Sequence, residues 1–163
     1  MLFQNMPIEK RIFKGSKYNF LAVSRAEIKS FSPGIPYIVI SVTDPEKSEA
    51  EIFDSPFLAN VLRLKFHDVD GANKFKFTFE NSGDIFMNEG HAREILSFVN
   101  SNLLEISLII CQCEEGISRS PAIAGALSKI LQNEDEFFLK NFWANRWVYN
   151  LIFEQSKKSE QKF

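Results

Sequence analysis

The stretch LIICQCEEGISRSPAIAGAL, residues 108–127, decides the architecture of this 163-residue chain. An apolar run stops at Cys113, a short loop with one glycine follows, and Arg119 opens a segment of helical composition. The run ISLIICQC (106–113) reads as a strand buried on both faces, the pattern of a parallel sheet. Ser120 and Pro121 read as the N-cap and first-turn proline of a helix that extends to about Leu131. Such a strand–loop–helix unit puts Cys113 at the carboxyl end of a strand, where open α/β sheets keep their ligand crevices.

The rest of the chain alternates in the same way. YNFLAVS (18–24) predicts a strand, and Ser24-x-x-Glu27 has the form of a capping box for a short helix reaching about Phe31. SPGIP is turn chemistry, and YIVISV (37–42) predicts a second fully buried strand, closed by the ordinary turn pair Asp44-Pro45. EKSEAEIF predicts a loop or a brief helix. LANVLRLKF (58–66) predicts a strand that runs out into HDVDG, and KFKFTF (74–79) alternates as an inserted strand or flap. Ala92, Ile95, Leu96, Val99 and Leu103 recur at spacings of three and four, which predicts an amphipathic helix. A last helix starts near Asn145 and buries Trp147, Val148, Leu151 and Ile152, followed by a polar tail from residue 157. The pattern predicts one domain over residues 1–156, an α/β fold with a mostly parallel central sheet flanked by helices.

Composition agrees with one core, since 163 residues of which 45% are hydrophobic are too few for two. Nineteen Lys and Arg against 21 Asp and Glu give a net charge of −2 with no long block of either sign, which points to neither nucleic acid nor membrane as a partner. No long apolar run and no signal-peptide centre is present, so a soluble, cytoplasmic protein is expected. Cys111 and Cys113 are too close to staple distant segments. Cys111 is read as a small core residue. His67 and His91 are read as surface residues, and two histidines without neighbouring ligands predict no metal site and no cofactor. Phe75, Phe77 and Phe79 read as core.

The loop itself carries chemistry. A helix N-terminus offers unpaired N–H groups and partial positive charge, and a tight Gly-containing loop aims further N–H groups at one point. Arg119 adds a planar fork that matches two phosphate oxygens. A thiol, an oxyanion cradle and a clamp together are the parts of covalent phosphoryl transfer through a cysteinyl phosphate.

On the residues CEEGISRS, 113–120, the sequence resembles the cysteine-dependent protein tyrosine phosphatases, most of all their small dual-specificity branch. The resemblance implies a phosphatase-like fold over about residues 35–155 and a metal-independent hydrolase of phosphorylated proteins or peptides. It assigns Cys113 as nucleophile and Arg119 as phosphate clamp. Ser120 becomes the hydroxyl that helps the thiolate leave, and Glu114, Glu115, Gly116, Ile117 and Ser118 the backbone of the phosphate loop. The family's upstream general acid falls on Asp68 at the end of LRLKFHD, with Asp70 as the competing candidate. Gln112 stands where the family has histidine. Glu114 and Glu115 add negative charge, expected to face solvent, and Asp68 lies farther upstream than is usual; these departures bear on rate rather than on chemistry. A phosphopeptide-binding pseudophosphatase and a sulfur-transfer or arsenate-reducing enzyme are the alternatives.

Overall fold

The structure is a computed structural model that describes residues 3–69 and 85–160. The expected strand at 74–79, the Phe75, Phe77 and Phe79 stripe and Asp70 lie outside the described residues. Among the described residues five strands form one sheet: β1 (Phe13–Lys14), β2 (Asn19–Ser24), β3 (Tyr37–Thr43), β4 (Leu58–Lys65) and β5 (Leu108–Cys113). Their spatial order is β1-β2-β5-β3-β4, antiparallel only between β1 and β2. The helices are α1 (Arg25–Ile28), α2 (Glu89–Asn102), α3 (Arg119–Gln132), α4 (Glu136–Asn141) and α5 (Arg146–Glu160). None of the described helices is long and apolar enough to cross a membrane.

Every residue of β3 and β5 is buried, as their unbroken apolar sequences require of central strands. The two faces of β5 feed different cores. Ile109 and Cys111 point into the larger one, under α2, α3, α4 and α5, while Leu108 and Ile110 join Leu21, Val23, Tyr37 and Val39 on the other face. That second face is covered by α1, Phe31 and the loop residue Ala50, so the stretch after β3 is a covering loop and the larger helices lie on one side.

Local sequence explains the element ends. Ser24 and Glu27 form the expected capping box, with Glu27 N–H donating to Ser24 Oγ at 3.2 Å and Ser24 N–H to Glu27 Oε1 at 2.9 Å. At α2 the box is built by Asn88 and His91, whose Nδ1 accepts from the Asn88 N–H at 3.1 Å. His91 is therefore half-buried, its ring 5.2 Å from that of Phe66, in contrast to the surface position expected of it. Burial pushes its imidazole below the usual histidine range. Helix α3 closes on Asn133 in the left-handed conformation, φ 58°.

Two expectations are corrected. Ser120 is not the N-cap of α3: that place belongs to Ser118, and Ser120 sits inside the first turn with Pro121 behind it. In the last helix Val148 and Ile152 are buried, but Trp147 and Leu151 only pack against the core from a partly covered position. Helix α4 carries no sequence signal because six residues are too few to show a period. It nevertheless buries Phe138 completely, over Gly125 of α3, where a Cβ would stand 3.2 Å from the Phe138 Cβ.

Candidate active site

Strands β2, β5, β3 and β4 are parallel, so their carboxyl ends share one edge of the sheet. The register pairs Ser24 with Cys113 and Ser41 with Gln112. Cys113 thus ends the central strand between the ends of β2 and β3, and it is only 2% exposed. The chain after it curls around the sulfur. The Gly116 N–H donates to Cys113 Sγ at 3.3 Å, and Ser120 Oγ lies 3.1 Å from the same sulfur. Gly116 has φ 75°, and a Cβ there would come within 2.7 Å of Ser24 N and Val23 C, both backbone atoms. Only glycine meets both demands. The loop is fastened to the end of β2 by the Arg25 N–H, which donates to the Glu114 carbonyl at 3.2 Å.

Arg119 is buried, yet it lines the cleft into which Cys113 opens. Its Nη1 donates to the Phe66 carbonyl at 2.7 Å and lies 2.8 Å from Asp44 Oδ1. Its Nε is buried with no partner among the described residues. Asp68 stands on another wall of the cleft, its Oδ1 accepting from Ser118 Oγ and Asn145 Nδ2, each at 2.8 Å. The cleft has a volume of about 560 Å³ and is also lined by Lys47, His67, Ile117 and Trp143. Among the described residues no cluster of three or more His, Cys, Asp or Glu side chains could hold a metal ion.

No family model matches the sequence, and no curated protein is significantly similar to it. Solved structures are similar in three dimensions. Human DUSP28 aligns with TM-score 0.60 and 10% identity over 93% of this chain and 99% of its own. Tk-PTP in its active form aligns with TM-score 0.54 and 13% identity over 91% and 97%. PTPMT1 in complex with PI(5)P aligns with TM-score 0.54 and 10% identity over 93% and 98%. The chain has the dual-specificity phosphatase fold.

Within this phosphatase fold the residues singled out from the sequence come together: Cys113, Glu114, Glu115, Ile117, Ser118, Arg119 and Asp68 line one cleft, with Gly116 and Ser120 beneath it at the sulfur. Gln112 does not reach the cleft. It is fully buried, with Nε2 donating to the Cys113 carbonyl at 3.0 Å and Oε1 accepting from Ser41 Oγ, so it ties β5 to β3 behind Cys113.

Glu114 departs from expectation. Its side chain is 10% exposed rather than solvent-facing, and its carboxylate takes Arg25 Nε at 2.7 Å and Nη2 at 3.2 Å, with Lys47 Nζ 3.8 Å away. The bond to Glu114 raises the Arg25 guanidinium further. Glu115 is exposed as expected. Cys111 is a fully buried core residue, and burial pushes its thiol up, out of the reactive range.

Sequence reading misses two residues, Asp44 and Asn145. Asp44 reads as turn chemistry, although it also touches Arg119. Asn145 reads only as a helix start, yet its side chain holds Asp68, donates to the Val69 carbonyl at 3.1 Å and accepts from the Val148 N–H at 3.0 Å. A side-chain oxygen at a helix start is a local cap signal. The second role has no local signal.

Proposed function

We propose that the protein hydrolyses phosphomonoesters, with phosphotyrosine in proteins or peptides as the preferred substrate, through a cysteinyl phosphate on Cys113. One observation carries the reading: Cys113 Sγ, inside a curled loop with a backbone N–H aimed at it, opens into the same cleft as Arg119 and Asp68. The Cys113 thiolate attacks phosphorus, forming the S–P bond as the P–O bond to the leaving group breaks. Asp68 gives its proton to the departing oxygen. Arg119 and the loop N–H groups take the charge on the phosphoryl oxygens. Water then attacks phosphorus, Asp68 takes its proton, and the S–P bond breaks with Ser120 Oγ donating to the departing sulfur. Inorganic phosphate and the starting thiolate result.

The cleft walls support an aryl phosphate. Ile117 and the 84% exposed Trp143 are apolar surfaces at its mouth, against which a phenyl ring can stack. Asp44 and Glu114 offset Arg119 and Lys47 in the same cleft and Glu115 adds a further negative charge, so little positive charge is left for ligands carrying several phosphates. A phosphoinositide of the kind bound to PTPMT1 is thereby a poorer fit than a singly phosphorylated peptide.

The test is hydrolysis of p-nitrophenyl phosphate and of a phosphotyrosine peptide by the purified protein, with and without vanadate. Vanadate-sensitive turnover that disappears in Cys113→Ser is expected. Turnover surviving in a clean Cys113→Ser preparation refutes the mechanism, and phosphopeptide binding by the native protein without turnover makes it a binding module.

A further inference from the structure

Asp44 lies outside the residues that the proposed reaction uses, but it is ion-paired to Arg119, which lies among them. Asp44 follows the last residue of β3, and its Oδ1 stands 2.8 Å from Arg119 Nη1. The same Nη1 is bonded to the Phe66 carbonyl just past β4. Both anchors therefore fall on one nitrogen of the fork. A guanidinium offers two bidentate edges, and engaging Nη1 removes the end-on edge while leaving the Nε and Nη2 edge intact. Nε is buried and has no partner among the described residues. A buried N–H without an acceptor is costly, so the edge is poised for a ligand that is anionic and has two oxygens.

Asp44 is itself held. Lys47 Nζ lies 3.3 Å from its Oδ2 and 3.8 Å from Glu114 Oε1, and Glu114 is paired to Arg25. Charges alternate from Arg119 through Asp44, Lys47 and Glu114 to Arg25, joining the two ends of the phosphate loop across the turn that follows β3. Burial pushes the Asp44 carboxyl up, but Arg119 and Lys47 outweigh it and hold it below the usual carboxylate range, so it stays ionised.

We propose that Asp44 is a positioning residue for the oxyanion clamp: by anchoring Arg119 Nη1 together with the Phe66 carbonyl, it turns the Nε and Nη2 edge toward the loop around Cys113. The proposal rests on the reading of this cleft as an oxyanion site. Its cost is a negative charge beside the bound anion, so Asp44 orients the clamp while moderating its affinity.

The experiment measures tungstate binding by calorimetry to the full chain in a Cys113→Ser background, which removes turnover from the readout. Asp44→Ala should bind about 10-fold more weakly, the loss of roughly one charge-assisted hydrogen bond from a misaligned fork. Asp44→Asn keeps an oxygen acceptor at the same place without the charge, and should bind at least as tightly as its parent. In an Arg119→Lys background, which has no fork to align, Asp44→Ala should no longer weaken binding. Equal losses with the native Arg119 and in the Arg119→Lys background, or undiminished binding in Asp44→Ala, overturn the role of Asp44. A 10-fold loss in Asp44→Asn overturns it as well, which keeps the test decisive if Asp44→Ala fails to fold. Absence of tungstate binding in the Cys113→Ser parent instead refutes the oxyanion site itself.

Discussion

Asn145 Nδ2 lies 2.8 Å from Asp68 Oδ1, joining the residue before α5 to the loop after β4. Ser118 Oγ donates to the same oxygen at 2.8 Å, so Asp68 is held between the 113–119 loop and the last helix. Under the proposed reaction Asp68 is the proton donor to the departing oxygen. Asp68→Asn should slow a phenyl phosphate of high leaving-group pKa by about 10² to 10⁴-fold, and an activated aryl phosphate far less. Asn145→Ala should move both rates in the same sense by a smaller factor. Paired steady-state kinetics on the two substrates check this, and equal losses on both would remove Asp68 from the role.

Gly116 is a position where the loop admits little change. Gly116→Ala must strain a φ of 75° and push backbone atoms of Val23 and Ser24 now 2.7 Å from the new carbon. Destabilisation above about 1 kcal/mol is expected, with loss of oxyanion binding as the Gly116 N–H swings away from Cys113 Sγ. Urea unfolding and calorimetry on the same preparation measure the two effects. Native-like values in both would show that the loop has another conformation available.

Gln112 and Ser41 form a buried polar pair between β5 and β3. Gln112→Leu leaves Ser41 Oγ without its acceptor and should cost about 1–3 kcal/mol, the desolvation penalty of an orphaned polar group. Adding Ser41→Ala should recover most of that loss, since replacing both partners by apolar groups is close to neutral. Chemical denaturation of the two single variants and the double variant gives the coupling directly. Strict additivity would mean that the bond contributes nothing.

Glu27 predicts a pH dependence of stability. Burial pushes its carboxyl up, but the bonds from Arg11 and the Ser24 N–H outweigh it, and its folded value lies below the usual range. A group lowered on folding stabilises above its unfolded value of about 4.3, and the contribution disappears as pH falls through the folded value. Glu27→Gln should therefore be less stable than the native chain at pH 7, by about 1 kcal/mol or less for a partly exposed group, and the gap should narrow at a pH below about 4.3. Urea midpoints at the two pH values test it. A constant gap would trace the effect to the lost hydrogen bonds instead.

Elements with a local physical cause are legible in the chain alone. Strands β3 and β5 are unbroken apolar runs, α2 has the spacing of a buried helical face, and Ser24 with Glu27 writes its own cap. The loop 113–119 is equally readable, because a cysteine, a glycine suited to a left-handed turn and an arginine at a helix start act within one short stretch of consecutive residues. The order of the strands, by contrast, belongs to the folded sheet. Placing β5 between β2 and β3 brings Val23 and Ser24 against Gly116, Asp44 and Phe66 onto Arg119, Arg25 onto Glu114, and Asn145 onto Asp68. Each of these pairings joins segments far apart in the chain. Ion-pair and hydrogen-bond partners across a sheet edge follow from strand order and register, which no local propensity encodes, so Asp44 reads as a turn and Glu114 as a solvent-facing charge until the sheet puts a partner beside each.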